Sequence, residues 1–495
     1  MRDAQWPMKQ IVQKIFTMYL KALLIDFSAM AEQEVALVQW EHSIMQEVSY
    51  KQDLTVALII QMLGPSLLSM PYIIQQIGYG GLIIQYIFCF AMLIVSYHYI
   101  IECSHYTRAT SYSAMAEKSI NKAFKYIVNI FQTIYFIGHC ASLIQICADS
   151  IDQLIEQQLH KKPSIELIKY LIGFITFLLC IPQSISFLSK IFTISGLFIF
   201  VMIFTVLIYF AESWESQQLC LIDTSKKFFK LEAFPSSFAI QLQFFLKFLP
   251  TFQCCYAIHS AIPGAIQQLP GPPLPKKKFV QLMLRICLVI ATLAYLVVGV
   301  LSSLMFGDFN RDNLLESFAV CNTPFVDIFY VAYSVLLMVG VPVTFQPVKA
   351  KLLQLVKKQN IWWSILMSLA FNVTCATLAL IKSSLQIYGL YAALCGYFQY
   401  VLVPILLFYF YPQIKNKYRY MDTLKFVQNQ EQIDNLEKLN RGMQKQPGDA
   451  LIEIQAEGMV FIEELPVGRK VVAILVAVVA AAAYAFSFGL FLVDF

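Results

Sequence analysis

The chain has 495 residues, 58% of them hydrophobic and 14% charged, with a formal net charge of +5 at pH 7. A soluble domain carries roughly a quarter charged residues, and a mean hydropathy of +0.63 is that of a chain sharing its core with lipid. These values exclude a soluble globular protein and give no footing for nucleic acid; the class is an all-α polytopic membrane protein in a lipid bilayer.

Residues 1–50 precede the first span. Ile11, Val12, Ile15, Phe16, Tyr19 and Leu20 share one helical face, and Gln10, Gln13, Lys14, Thr17 and Lys21 the other. Such an amphipathic segment suits the membrane interface. It equally suits a protein partner, and its Arg2, Lys9, Lys14 and Lys21 give it the charge of a mitochondrial targeting helix. No cleavable secretory signal is evident.

From Leu54 onward eleven spans are expected, at about 54–76, 81–102, 124–152, 167–181, 190–210, 236–262, 282–306, 325–346, 362–381, 386–411 and 470–493. Each is near the roughly 20 residues that cross a bilayer. Residues 51–411 form a core of ten spans, 412–469 a polar loop with a helical pattern over Asp422–Met443, and 470–495 the last span. That loop and residues 1–50 are the expected sites for protein partners.

The first span is interrupted. Its stretch TVALIIQMLGPSLLSMPY, Thr55–Tyr72, carries Gly64-Pro65 at its middle. Proline removes a backbone donor, and a helix broken at membrane depth is tolerated only where it is buried in protein or lines a cavity. Broken helices form the substrate site of many secondary transporters. Leu63, Gly64, Pro65, Ser66 and Leu67 are therefore expected to bind substrate, Ser66 and the amides beside it receiving a carboxylate at the positive end of a half-helix. A plain proline kink is the alternative. The sixth span, 236–262, holds Pro250-Thr251 and then FQCCYAIHS. A break at Pro250 is expected to turn Phe252, Gln253 and Cys254 toward the substrate. An interrupted helix opening each group of five spans points to an inverted repeat with the site between the halves.

Basic residues test the topology. Arg108, Lys118, Lys122 and Lys125, the run Lys276-Lys277-Lys278 with Arg285, Lys349, Lys351, Lys357 and Lys358, and the 412–469 loop fall on one side. The positive-inside rule then puts the N-terminus on the cytoplasmic or matrix side. Plasma, vacuolar and mitochondrial membranes remain open. The twelve cysteines show no CxxC pair and read as small apolar side chains.

Polar groups at membrane depth usually face the bundle interior. In the third span Gln132, Tyr135, His139, Ser142 and Asp149 share a face. His139 titrates near neutral pH and is a candidate for proton coupling; the alternative is a histidine bonded to a neighbouring helix. Lys247, about a dozen residues into the sixth span, is a second candidate, with Asp149 as its counter-ion and the third. A shifted span start would instead bring Lys247 to the interface.

Several motifs occur in order. The run GPSLLSMPY at 64–72 with Gly78 and Gly80-Gly81 resembles the GxGxLxLPY–G signature that opens the amino acid/auxin permease family. The segment SYHYIIECSHYTRATSYSAMAEKSI at 96–120 is similar to that family's second span and following loop. Cys140-Ala141 through Cys147-Ala148-Asp149, Phe306-Gly307-Asp308, Val341-Pro342 with Phe345-Gln346-Pro347, and Gly389-Leu390-Tyr391 with Pro404 resemble later stretches. The resemblance implies the five-plus-five inverted repeat of the amino acid–polyamine–organocation superfamily (the leucine-transporter-like fold) plus one C-terminal helix. It implies amino acid transport driven by protons or sodium. Two departures count against sodium: Ile60-Gln61 stand where the sodium-coupled branch has an Asn, and Val339-Gly340-Val341 offer no hydroxyl before the proline of the eighth span. No catalytic constellation, nucleotide loop, cofactor motif or metal site is read. The expected function is a proton-coupled secondary transporter of amino acids; the alternative is a transport-inactive relative serving as a structural subunit of a larger, for example mitochondrial, membrane complex.

Overall fold

The computed structural model describes residues 54–55, 58–64, 66–160, 163–181, 186–216, 218–219, 222–223, 232–269, 273–321, 324–356, 361–380, 384–418 and 467–493. The expectations for residues 1–50, for Pro65 and for Asp422–Met443 lie outside them. The described chain is helical apart from a two-residue ladder, β1 (Gln218–Leu219) against β2 (Ile222–Asp223). Among the described residues eight helices are long and apolar enough to cross a membrane.

After a helical turn at 58–62 the chain leaves the helix at Leu63 and Gly64 and re-enters it at Ser66. Helix α1 (Ser66–Thr107) has 42 residues, about 63 Å at 1.5 Å per residue, twice a bilayer's apolar thickness. It is two legs meeting at Gly78, where φ is 68° and ψ 172°. A side chain there would meet the carbonyls of Ala233 and Glu232 at 2.5 and 2.6 Å. Those carbonyls accept from Gly80 and Tyr79 at 3.0 and 3.1 Å, pinning the tip of α1 to the chain entering the sixth span.

Short α2 (Tyr112–Ser119) is capped by Ser111, whose hydroxyl accepts from the Ala114 amide at 3.2 Å. Asn121 caps α3 (Lys122–Leu159) in the same way, on Phe124 N at 2.8 Å. Then follow α4 (Ile165–Cys180), α5 (Ser186–Ser216), α6 (Phe238–Cys254), α7 (Ile262–Gln268) and α8 (Pro273–Phe306). Next come α9 (Leu314–Ser317), α10 (Pro324–Val356), α11 (Ile361–Leu378), α12 (Ser384–Gly396) with a π turn at Tyr397–Leu402, and α13 (Val467–Val493). Helix α1 packs on α8 and α6; α3 packs on α10, α12 and α11; α13 lies across α6 and α12. The outward faces are apolar, as Val471, Ile474, Leu475 and Val478 of α13 show.

Three expectations are corrected. Pro250 does not break the sixth span: α6 runs through it to Cys254, and the helix is lost over 255–261. Phe252, Gln253 and Cys254 are thus its last turn. Lys349 is not a surface charge of a basic loop. It is 1% exposed, and its ammonium donates to the carbonyls of Cys180 and Ile181 at 2.8 and 2.9 Å. The end of a helix leaves carbonyls without amide partners and carries partial negative charge; the Lys349 cation meets both needs of α4. Among the described residues ten cysteines are free and buried, but Cys321 is disulfide-bonded.

Candidate functional site

The two interruptions face each other across α8, and one side chain joins them. Tyr295 of α8 is fully buried. Its hydroxyl lies 2.7 Å from Ser66 Oγ, 2.5 Å from the Met62 carbonyl and 3.2 Å from the Cys255 carbonyl. A phenol has one proton to give. It shares that proton between the two carbonyls, the closer one of Met62 taking the larger part, and accepts from Ser66. The Gly64 carbonyl, next along the first break, accepts from Tyr333 of α10 at 3.3 Å. Unwound backbone in a membrane must find partners, and two tyrosines supply them.

At the second break the Tyr256 carbonyl accepts from the Tyr97 hydroxyl of α1. The ring of Tyr256 packs edge-on against Tyr295 at 5.3 Å and against Phe90 at 5.6 Å, and Phe252 packs on Tyr86 at 4.7 Å. One turn before the break, the buried Thr251 hydroxyl has no hydrogen-bond partner among the described residues. Gln253 does: Tyr484 of α13 donates to its Oε1. Ser487, one turn further along α13, donates to the Lys247 carbonyl at 2.8 Å.

Within the break lies a residue the sequence reading passed over. His259 is 0% exposed, with Nε2 2.9 Å from Ser96 Oγ. Its ring lies 4.8 Å from that of Tyr97 and 4.8 Å from that of Tyr400 in the π turn. Tyr400 meets Tyr135 at 5.9 Å, and Tyr135 stacks on His139 at 6.1 Å.

Of the residues expected to bind substrate, Leu63, Gly64, Ser66 and Leu67 lie at the first break and Phe252, Gln253 and Cys254 just before the second; Ser66 bonds Tyr295, whereas Gly64 bonds Tyr333, Phe252 packs on Tyr86 and Gln253 bonds Tyr484. The proton-coupling candidates do not form one group. His139 lies between Tyr135 and Tyr388 on the α3–α12 side. Lys247 lies over the rings of Phe248 and Phe491, 5.6 and 5.4 Å from their centroids, toward α13. Asp149 accepts from Gln145 at 3.0 and 2.9 Å and sits in the field of Lys169 and Asp312. Close to it, between spans on α9, burial and the charges of Asp149 and Asp312 push the Glu316 carboxyl up to about 8. Among the described residues no group of three or more His, Cys, Asp or Glu is placed to hold a metal ion.

A family model described as transmembrane amino acid transporter protein matches residues 52–427. The chain belongs to that family. The transmembrane amino acid transporter fold seen here is shared with solved structures of distant sequence. One is a Na+-coupled sialic acid symporter in a substrate-bound outward-open state, with 13% identity and a TM-score of 0.52 over 80% of this chain and 86% of that one. Another is a nucleobase-cation-symport-1 family transporter in a closed conformation with bromovinylhydantoin bound, with 10% identity and a TM-score of 0.51 over 72% and 77%. A search of curated proteins returned no match. Within this transmembrane amino acid transporter both breaks lie inside the matched region.

Proposed function

We propose that this integral membrane protein is a secondary active transporter of amino acids, coupled to protons and working by alternating access around its two breaks. One observation carries the reading: unwound backbone of two separate helices converges on a single point, where Ser66, Met62 and Cys255 meet at the Tyr295 hydroxyl. Structures that merely span a membrane keep their backbone bonds within each helix. Two facing breaks expose amides and carbonyls in a dry site, which is what recognition of a zwitterion requires. The Ser66 amide at the start of α1, joined by the Ser66 hydroxyl once it leaves Tyr295, takes the substrate carboxylate, and the carbonyls of the breaks take its ammonium. The basic residues of the loops support an N-terminus on the cytoplasmic or matrix side.

The test is uptake of a labelled amino acid mixture into liposomes holding the purified protein, under an inward proton gradient, an inward sodium gradient, or neither. Proton-dependent uptake abolished by Ser66→Trp is the expected result. A second reading, a transport-inactive structural subunit, draws on a specific observation as well: Ser66 and Gln253 are bonded by the protein's own Tyr295 and Tyr484. Folded protein that moves no amino acid under any gradient decides for that reading.

A further inference from the structure

We infer that His259 is the residue that carries the coupled proton, with Nδ1 as the atom that takes it up. The inference deepens the proton-coupled reading above and rests on it. It begins with the hydrogen of one hydroxyl. Ser96 Oγ lies 3.0 Å from the Leu93 carbonyl and 2.9 Å from His259 Nε2. The carbonyl only accepts, so the single Ser96 proton goes there. The Ser96 oxygen then accepts from the imidazole, and Nε2 carries the hydrogen. A neutral imidazole has one such hydrogen. Nδ1 is therefore a bare lone pair, and it has no hydrogen-bond partner among the described residues. A buried acceptor left without a donor costs free energy. The geometry holds a base open at membrane depth.

Its position suits coupling. His259 lies inside the second break, three residues after Tyr256. Facing it are Ser96 and Tyr97 from α1 and Tyr400 from the π turn. These neighbours are all uncharged. A proton on Nδ1 thus places an uncompensated positive charge in a dry region, which is strongly unfavourable without a counter-charge. A substrate carboxylate bound between the breaks is that counter-charge. Proton and amino acid each lower the cost of admitting the other, and that reciprocity is coupling in its thermodynamic sense. Only a proton moves: Nδ1 gains it from water on one side, the ring goes from neutral to cationic, and the same atom returns it to water on the other side. Tyr97 adds the mechanical link. It adjoins Ser96 in α1 and donates to the Tyr256 carbonyl, so a change at the ring is felt at the break.

His259→Gln keeps an N–H donor for Ser96 and removes the proton-binding nitrogen. The protein is reconstituted full length in liposomes with a labelled amino acid mixture. Two quantities are read: accumulation driven by an inward proton gradient, with proton entry followed by an entrapped pH dye, and exchange of labelled for unlabelled substrate at equal pH. A merely structural histidine lowers both together. A proton carrier lowers the ratio of gradient-driven accumulation to exchange, by about tenfold or more. An unchanged ratio overturns the assignment while the proton-coupled reading stands. Wild-type protein that exchanges without responding to the proton gradient removes the proton-coupled reading and the assignment with it, and leaves transport intact. Should His259→Gln not fold, Ser96→Ala frees Nε2 from its acceptor. The midpoint of the pH profile for gradient-driven uptake then moves by about one unit, and an unmoved midpoint overturns the assignment.

Discussion

Replacing Tyr295 by Phe removes one oxygen from the point where the two breaks meet and leaves the ring packed on Tyr256 at 5.3 Å. No cavity larger than a hydroxyl is created, so the cost is that of hydrogen bonds. The hydroxyl accepts from Ser66 at 2.7 Å and shares its proton between Met62 O at 2.5 Å and Cys255 O at 3.2 Å. Each is worth about 1 kcal/mol net, and a buried acceptor left without a donor costs about 1–3 kcal/mol. Tyr295→Phe therefore loosens the breaks by about 2–4 kcal/mol. Local opening governs amide exchange. Two kcal/mol corresponds to about 30-fold faster exchange. The amides to follow are those of Leu63 and Leu67 at the first break and 255–258 at the second, by hydrogen–deuterium exchange on protein in detergent. Tyr330→Phe is the control: its hydroxyl bonds the Leu315 carbonyl at 2.7 Å, and its effect is confined to the segment around α9. If exchange at both breaks matches wild type in Tyr295→Phe, the hydroxyl does not join them, and the converging-break argument for the site loses its main support.

Two further outcomes follow from charges outside the substrate site. Glu316 has a folded pKa of about 8 against an ordinary 4.5, raised by burial first and then by Asp149 and Asp312. The folded state therefore holds a proton that the unfolded chain has lost, and stability falls as pH rises from about 4.5 to about 8. Glu316→Gln flattens that part of a thermal-midpoint profile taken against pH. Lys349→Met leaves the Ile181 carbonyl without its ammonium donor and the Cys180 carbonyl with Ser368 alone, at 3.1 Å. The expected loss is about 1–3 kcal/mol, seen as a lower thermal midpoint; an unchanged midpoint shows that the cost of burying the cation cancels its bonds.

The all-helical membrane class and the first break were legible in the sequence for one reason: hydropathy and a Gly-Pro pair act locally. Lipid demands about 20 apolar residues per crossing, and Gly64-Pro65 interrupts a helix whatever surrounds it. The second break was misplaced because its cause is not local. Pro250 costs α6 one hydrogen bond and no more, so the helix continues. The segment that unwinds, Cys255–Ala261, contains neither glycine nor proline. Its carbonyls at Cys255 and Tyr256 face hydroxyls from α8 and α1, forty residues after and 159 residues before. In sequence Tyr295 and Tyr97 look like ordinary aromatic residues of apolar spans. His259 was passed over for a related reason. Its weight comes from Ser96, and only the fold brings the two together. A signal was available, since a histidine four residues after Cys255 sits beside the expected break, but Pro250 drew that break a turn too early.

Helix α13 was expected to stand apart from the repeat, yet it touches both halves of the site, and the bonds decide with which it moves. Toward α6 it makes two hydrogen bonds, Tyr484 to Gln253 and Ser487 to the Lys247 carbonyl. Toward the α12 side, the Tyr397 hydroxyl donates to the Ala477 carbonyl at 3.1 Å, and Phe491 lies flush on Gly389. A rocking motion that separates α6 from α12 must break one set. At about 1 kcal/mol per bond, parting from α12 costs one and parting from α6 costs two, while the smooth Phe491–Gly389 contact resists sliding least. In the proposed alternating-access cycle α13 is therefore expected to travel with α6. Cross-linking cysteines placed between α13 and α6 should leave substrate exchange running, whereas a cross-link between α13 and α12 should stop it. The reverse pattern would show that α13 belongs to the stationary half, and that Tyr484 releases Gln253 each time the site opens.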